Sequence, residues 1–331
     1  MNSTGLLPLS IFDSPNLSVL DLQHNQLVGP LPTHISGLNL LIDLSLNSNF
    51  LNGTLPPWLF SLTSLVRLTL DHNQFIGEIG EFKYNNSLLF LDLSYNMLQG
   101  SIPSSISRLV NLTDLYLLSN NLHGSIPSSI SRLVNLTSLD LSSNNLSIML
   151  NLEMFSNLNN LNVFSFSYNN LLVSINYNLT FTLPNLERLY LSSCNISEFP
   201  IFLRIATNLQ LSDLSNNKIH GQTPKWLETI GRNSLKFLDL SHNFLTSIDK
   251  IPWKNLETVD LRNNLLQGPF PTLNALNLYN LFASNNNLIG EIPSLICNAS
   301  YLEVLDLSHN NFSGTIPKCL VLFNVLSVLD L

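Results

Sequence analysis

Charge is the first thing this chain is short of. Only 11% of its 331 residues are Asp, Glu, Lys or Arg, and 14 basic residues face 22 acidic ones. A net charge of −8 leaves no basic stripe of the kind that holds nucleic acid, so no nucleic-acid partner is expected. Long apolar runs are missing as well: no stretch reaches the ~18 apolar residues of a membrane-crossing helix. The nearest, 321–331, is broken by Asn324, Ser327 and Asp330. Residues 1–12 carry no basic n-region, and Pro8 interrupts their one apolar patch, so no secretory signal is expected there. The cysteines, Cys194, Cys297 and Cys319, are too few for a disulfide scaffold. Phosphate-cradling glycine loops, nucleophile elbows and zinc spacings are absent, which gives no reason to expect a cofactor or a catalytic centre.

What the chain has in quantity is one phrase, Leu-Asp-Leu-Ser-x-Asn, repeated from end to end. At its close stands a column of asparagines: Asn25, Asn49, Asn73, Asn96, Asn120, Asn144, Asn169, Asn217, Asn243, Asn264, Asn286 and Asn310, with Cys194 filling the one gap. The leucines that open the phrase recur every 21 to 26 residues, from Leu17 to Leu326. Period and phrase together mark a leucine-rich repeat. Asn suits its place because one amide offers both donors and an acceptor. Turned inward, it is expected to bond the backbone of its own coil and the next.

The predicted fold is therefore an α/β repeat solenoid, a horseshoe or superhelix. A parallel sheet is expected on the concave face, with short 3-10, helical or irregular segments on the convex one. The whole of 1–331 reads as a single domain: 1–16 as the tail of a preceding coil, 17–325 as thirteen coils, and 326–331 as the first strand of a fourteenth. Along each strand Leu20 and Leu22 face in while Val19, Asp21 and Gln23 face out. Eight coils continue with Gly-x-hydrophobic-Pro or a near equivalent, such as Gly100-Ser101-Ile102-Pro103, followed by a turn or two of helix. Coils three, six, seven, eight and ten lack it and are expected to have irregular backs. Residues 100–113 and 124–137 are identical, which directs attention to the strand face for recognition. Neither end carries a polar cap, so the chain is expected to be a segment of a longer protein.

The phrase LxxLxLxxNxLxGxIPxx resembles the plant-specific class of extracellular leucine-rich repeats over essentially the whole chain. The stretches at 191–200, 213–227, 251–271 and 291–320 are similar to the receptor-like proteins of plant surface immunity and their receptor-kinase relatives. The resemblance implies a non-catalytic ligand-sensing ectodomain on a plasma-membrane protein, with a peptide or protein ligand and a co-receptor kinase as partners of the full-length parent. The chain departs from that family by lacking a signal peptide, cysteine-bearing caps, a transmembrane helix and a kinase domain. Two other readings stay open: a soluble enzyme inhibitor like the polygalacturonase-inhibiting proteins, or the sensing part of a receptor kinase.

The outward strand positions are the default binding surface of such an array. Most hold Asp or Ser, an acidic background. The departures are Arg67, His72, Phe90, Tyr95, Tyr116, Tyr168, Arg188 and Tyr190, with Phe237, Arg262 and Phe282 further on; Tyr and Arg are the types enriched at binding hot spots. Asp and His also recur together, as Asp21 with His24, Asp71 with His72, Asp239 with His242 and Asp306 with His309. Their coils are not adjacent, and the spacing follows from the repeat, so no acid-base or metal site is expected. Asn-x-Ser/Thr occurs eleven times, including Asn52, Asn111, Asn135, Asn178, Asn298 and Asn311, only slightly above chance, so glycosylation is permitted without being required. Cys297 and Cys319 lie 22 residues apart on the backs of adjacent coils and are candidates for a disulfide.

Overall fold

The computed structural model describes residues 3–149, 152–172 and 183–331. It forms two compact units, 1–172 and 173–331, each a stack of coils. In the first unit the strands Val19–Asp21, Asp43–Ser45, Arg67–Thr69, Phe90–Asp92, Asp114–Tyr116, Ser138–Asp140 and Val163–Ser165 pair in parallel, each with the next. In the second the series is Arg188–Tyr190, Leu211–Asp213, Phe237–Asp239, Thr258–Asp260, Asn280–Phe282, Val304–Asp306 and Val328–Asp330.

The register is set by the leucines. In each strand the central residue points into the coil: Leu44, Leu91, Leu115, Leu139, Leu238 and Leu305 have no measurable exposure. A one-residue slip would turn the whole set to solvent. Where coils six and seven hold phenylalanine instead, Phe164 packs edge-on against Phe155 and Phe166 at 5.1 and 4.5 Å, and Phe155 lies tilted to Phe166 at 5.7 Å.

The asparagine column closes each strand. Asn120 donates its amide to Leu93 O in the preceding coil (3.0 Å) and to Leu117 O in its own (3.2 Å), while its Oδ1 accepts Leu98 N–H (2.9 Å). Asn49, Asn73, Asn96, Asn144, Asn243, Asn264, Asn286 and Asn310 repeat this pattern. The bonds thus reach backward, to the preceding coil rather than the next. This direction corrects the sequence expectation, which had no means of choosing it. The residue before the column is left-handed in every coil, from His24 (φ 54°) to His309 (φ 54°). That conformation swings the chain so that the asparagine turns inward; a non-glycine residue holds it because the surrounding bonds over-determine it.

A second layer of strands follows the asparagines, and the sequence reading did not foresee it. In the first unit Thr4–Leu6, Gln26–Pro30, Phe50–Thr54, Gln74–Glu78, Met97–Gly100, Asn121–Gly124, Asn145–Met149 and Asn170–Leu172 pair in succession. Glycine at the left-handed position, as at Gly100 (φ 81°), lets the chain turn out of this layer. In the second unit the layer is broken into short pieces, among them His220–Gln222 with Phe244–Ser247.

The backs are 3-10 turns, such as Ser104–Arg108 and Ser128–Arg132, each started by a proline. Coils six and eight, expected to be irregular, carry the turns Leu152–Phe155 and Ile201–Ile205. In coil eight the proline alone is sufficient: Pro200 sets the entry and Phe202 and Leu203 are buried, so the missing glycine does not matter. Coils one and eleven have the Gly-Pro phrase and no 3-10 turn. The back of coil seven, 173–182, lies outside the described residues. The identical stretches 100–113 and 124–137 adopt nearly identical backbones, with Pro103 at φ −67° and Pro127 at φ −66°.

Candidate functional site

Each strand is three residues long, so only two side chains per coil stand outward on it. Arg67, Phe90, Arg188 and Phe237 occupy the first of these positions, and Tyr116, Tyr190 and Phe282 the second. His72, Tyr95 and Tyr168 are not strand residues; they hold the left-handed position that follows. Arg262 lies two residues past its strand. Counted from the leucine that opens each phrase they stand two, four, six or seven residues on, and the three-residue strands show which of these offsets lie on the sheet.

In the first unit the structure brings five of them together. The Arg67 guanidinium lies 4.1 Å from the centre of the Phe90 ring on the next coil, a cation–π contact. Phe90 in turn packs against Tyr116 one coil further on (5.6 Å). His72 stacks on Tyr95 at 4.2 Å with rings 24° apart, and its Nδ1 is 2.9 Å from Asp71 Oδ2. Tyr116 donates to Asp114 Oδ1 at 3.3 Å; burial, chiefly, raises its hydroxyl pKa. Tyr168 is 59% exposed. In the second unit Arg262 bonds both carboxylate oxygens of Asp260 through Nε and lies over the Phe282 ring at 4.5 Å. The hydrogen bonding of its guanidinium to the Asp260 carboxylate is the main cause of a raised Arg262 pKa. Arg188 is exposed, whereas Tyr190 and Phe237 are half-buried.

The aspartates, read from sequence as an acidic background, have a structural task. Asp92, Asp140, Asp213, Asp239 and Asp306 each accept the backbone N–H of the serine two residues on, at 2.9–3.2 Å. Asp260 does the same for Arg262 and is buried. Burial raises the pKa of Asp92, and that of Asp239 to about 6, helped there by Asp260 and Asp213 on the flanking coils. Because the folded value exceeds the ordinary carboxylate value, the folded state holds the proton more tightly. Its contribution to stability therefore falls as pH rises from about 4 through about 6 and stays low above that. Asp239→Asn keeps an oxygen for Ser241 N–H and removes the charge. It is expected to raise stability at pH 7.5 by about 1–2 kcal/mol, with allowance for solvent screening, and to change little near pH 4.5. Urea midpoints at the two pH values check this; equal gains at both would refute the assignment.

Cys297 and Cys319 are joined by a disulfide, Cα–Cα 5.6 Å, on adjacent coils. Cys194 is buried; its N–H donates to Asn217 Oδ1 (3.0 Å) and its Sγ lies 3.4 Å from Ser192 O, so a thiol replaces the amide. Of the sequon asparagines, Asn52, Asn111, Asn135, Asn298 and Asn311 are exposed, and Asn178 lies outside the described residues. Among the described residues no group of three or more His, Cys, Asp or Glu gathers as a metal site. No helix there is long and apolar enough to cross a membrane.

Leucine-rich repeat models match residues 15–75, 233–275 and six further repeats between 87 and 322. The chain belongs to the leucine-rich repeat family. Its sequence relatives include Receptor-like protein 7 of Arabidopsis thaliana, 48% identical over 126 residues, which are 37% of this chain and 13% of that protein. Receptor like protein 28 of the same plant is 37% identical over 226 residues, 67% of this chain and 26% of that protein. The chain thus spans about a quarter or less of these relatives. Among solved structures, that of a TDR receptor superposes with a TM-score of 0.89 at 28% identity, covering 100% of this chain and 58% of that one. The Arabidopsis receptor kinase HAESA, in complex with the peptide hormone IDA and the co-receptor SERK1, gives 0.78 at 28% identity, covering 100% and 60%. The leucine-rich repeat chain is accordingly of the plant receptor-like ectodomain type.

Proposed function

We propose that the chain is a ligand-binding, non-catalytic part of the extracellular region of a plasma-membrane receptor-like protein, and that it recognises a peptide or protein on its strand face. The observation that carries this reading is the Arg67–Phe90–Tyr116 run. One guanidinium and two aromatic rings replace the Asp-Ser background on three successive coils, spaced by the ~4.8 Å of the ladder. Such rigid, half-buried aromatic anchors offer large contact area at small entropic cost. Membership of the receptor-like group and the likeness to HAESA, solved with a peptide hormone and a co-receptor, support a peptide ligand and a partner kinase for the full-length parent. The role would be in defence or developmental signalling.

Replacing Arg67, Phe90 and Tyr116 together by alanine in the parent receptor is expected to weaken binding of its cognate peptide at least tenfold, or ~1.4 kcal/mol. Asp140→Asn on the same sheet should leave it within about threefold. Equal affinity of the triple variant and the unmodified receptor, by titration calorimetry on folded protein, would remove the strand face from the ligand site.

A further inference from the structure

Coil eight is one residue short. From the asparagine column to the proline that starts the back, coils one, two, four, five, nine, eleven, twelve and thirteen take seven steps, as in Asn217 to Pro224. Coil eight takes six, Cys194 to Pro200, and has no glycine on the way. The consequence is local. Lys218 N–H still donates to Ile196 O (2.7 Å), the first rung of the second-layer ladder, and then the coil-eight chain leaves the strand track. Residues 195–200 form no strand.

Among the described residues the coil-nine strand His220–Gln222 is therefore paired on one side only, with Phe244–Ser247 of coil ten. Direction along that strand alternates. Ile219 O accepts Phe244 N–H (2.8 Å) and Thr223 N–H donates to Ser247 O (3.1 Å), so these odd positions face coil ten. The alternate residues, His220 and Gln222, direct their backbone N–H and C=O toward the side that coil eight has vacated. A Cβ placed on Gly221 would meet nothing within 4 Å.

Beside this edge lies a groove of about 240 Å³. Its walls are Phe199 and Ile201 from coil eight and Pro224 and Trp226 from coil nine, with the Phe199 and Trp226 rings edge-on at 6.4 Å. The volume is below the ~300–1,000 Å³ of small-molecule sites and suits one or two side chains. The Gln222 side chain is turned away to Asp249 (3.1–3.2 Å).

We propose that the open edge of His220–Gln222 and the adjoining Phe199–Trp226 groove form a second docking site, separate from the strand face. Its occupant is an extended peptide segment that adds as one strand. The edge supplies affinity through main-chain hydrogen bonds and the groove selects an apolar side chain. The site lies wholly within the second unit and does not depend on the strand-face ligand.

The test is a random library of short linear peptides displayed on phage and panned on the purified chain, with the enriched sequences synthesised. Enriched peptides are expected to carry an apolar residue within an extended stretch and to slow amide deuterium exchange at His220 and Gln222. His220→Pro removes the N–H on the open side together with the imidazole, which an edge position tolerates, and His220→Ala reports the loss of the imidazole alone. His220→Pro should weaken binding at least tenfold, and Trp226→Ala likewise, whereas Tyr301→Ala, at an exposed position three coils away, should stay within about threefold. Exchange in the unmodified chain decides the matter even if His220→Pro misfolds. The proposal is overturned by protection confined to the strand face, by binding indifferent to His220→Pro, by failure to enrich any peptide, or by crosslinking that finds the edge covered by a second copy or by another segment of the same chain. Apart from protection confined to the strand face, none of these results bears on the Arg67–Phe90–Tyr116 surface.

Discussion

Asn120→Ala is expected to cost about 3 kcal/mol of stability, the sum of several buried groups that lose their partner at once. Leu98 N–H, Leu93 O and Leu117 O each bond this amide, and the site is 8% exposed, so water replaces little of what is lost. Asn120→Asp keeps an acceptor for Leu98 N–H but turns a charged oxygen toward carbonyls. At neutral pH it should be no better than alanine, and acidification, which restores a donor, should recover part of the loss. Asn25→Ala should cost less, because Asn25 is only half-buried and one of its bonds, from Ser3 N–H, lies in an exposed setting. Urea unfolding followed by circular dichroism, at constant m-value, measures all three. A loss below about 1 kcal/mol for Asn120→Ala would show that the coil repacks around the gap.

The second large effect is expected from the disulfide. Linking Cys297 to Cys319 closes a loop of 22 residues, for which the chain-entropy account gives about 3 kcal/mol. In a stack whose coils contact only their neighbours, that loss should be local. The double variant Cys297→Ser/Cys319→Ser is expected to lose amide protection in coils twelve and thirteen first, with the first unit unchanged. Reduction of the unmodified chain should give the same pattern. Deuterium exchange resolved by coil is the measurement; uniform loss along the chain, or none, would contradict the clamp.

How much of this was legible in the sequence depends on which interactions repeat. The leucine and asparagine columns were readable because the same contact is made in every coil, so the period alone marks Leu115 or Asn120 as inward. The second strand layer was not, because its pairing is carried by main-chain bonds whose side chains point variously, as in Gln74–Glu78 with its single buried Phe75. The aspartates were seen as a column, yet their partner is a backbone N–H that every residue but proline has, and no pattern could announce it. The outward aromatics were found as departures from background. Their sorting into a cation–π run and a separate His72–Tyr95 stack required the three-residue strands. The back of coil eight was misjudged because glycine was weighed with proline, whereas Pro200 starts its turn alone; coil six forms the turn Leu152–Phe155 with neither residue.

Every asparagine amide of the column ties residues separated by between 19 and 29 positions, and the strand ladders do the same. Among the described residues a chain whose regular elements are mostly strands thus pairs each strand with those of neighbouring coils, and its relative contact order is comparable to that of helical bundles. Such a polymer can lengthen by copying one coil, because a copy meets neighbours it already fits. The twin stretches 100–113 and 124–137, alike in every letter and nearly so in backbone angle, are the trace expected of that kind of growth. Duplication leaves the older coils undisturbed, and divergence can then proceed on the outward rows alone.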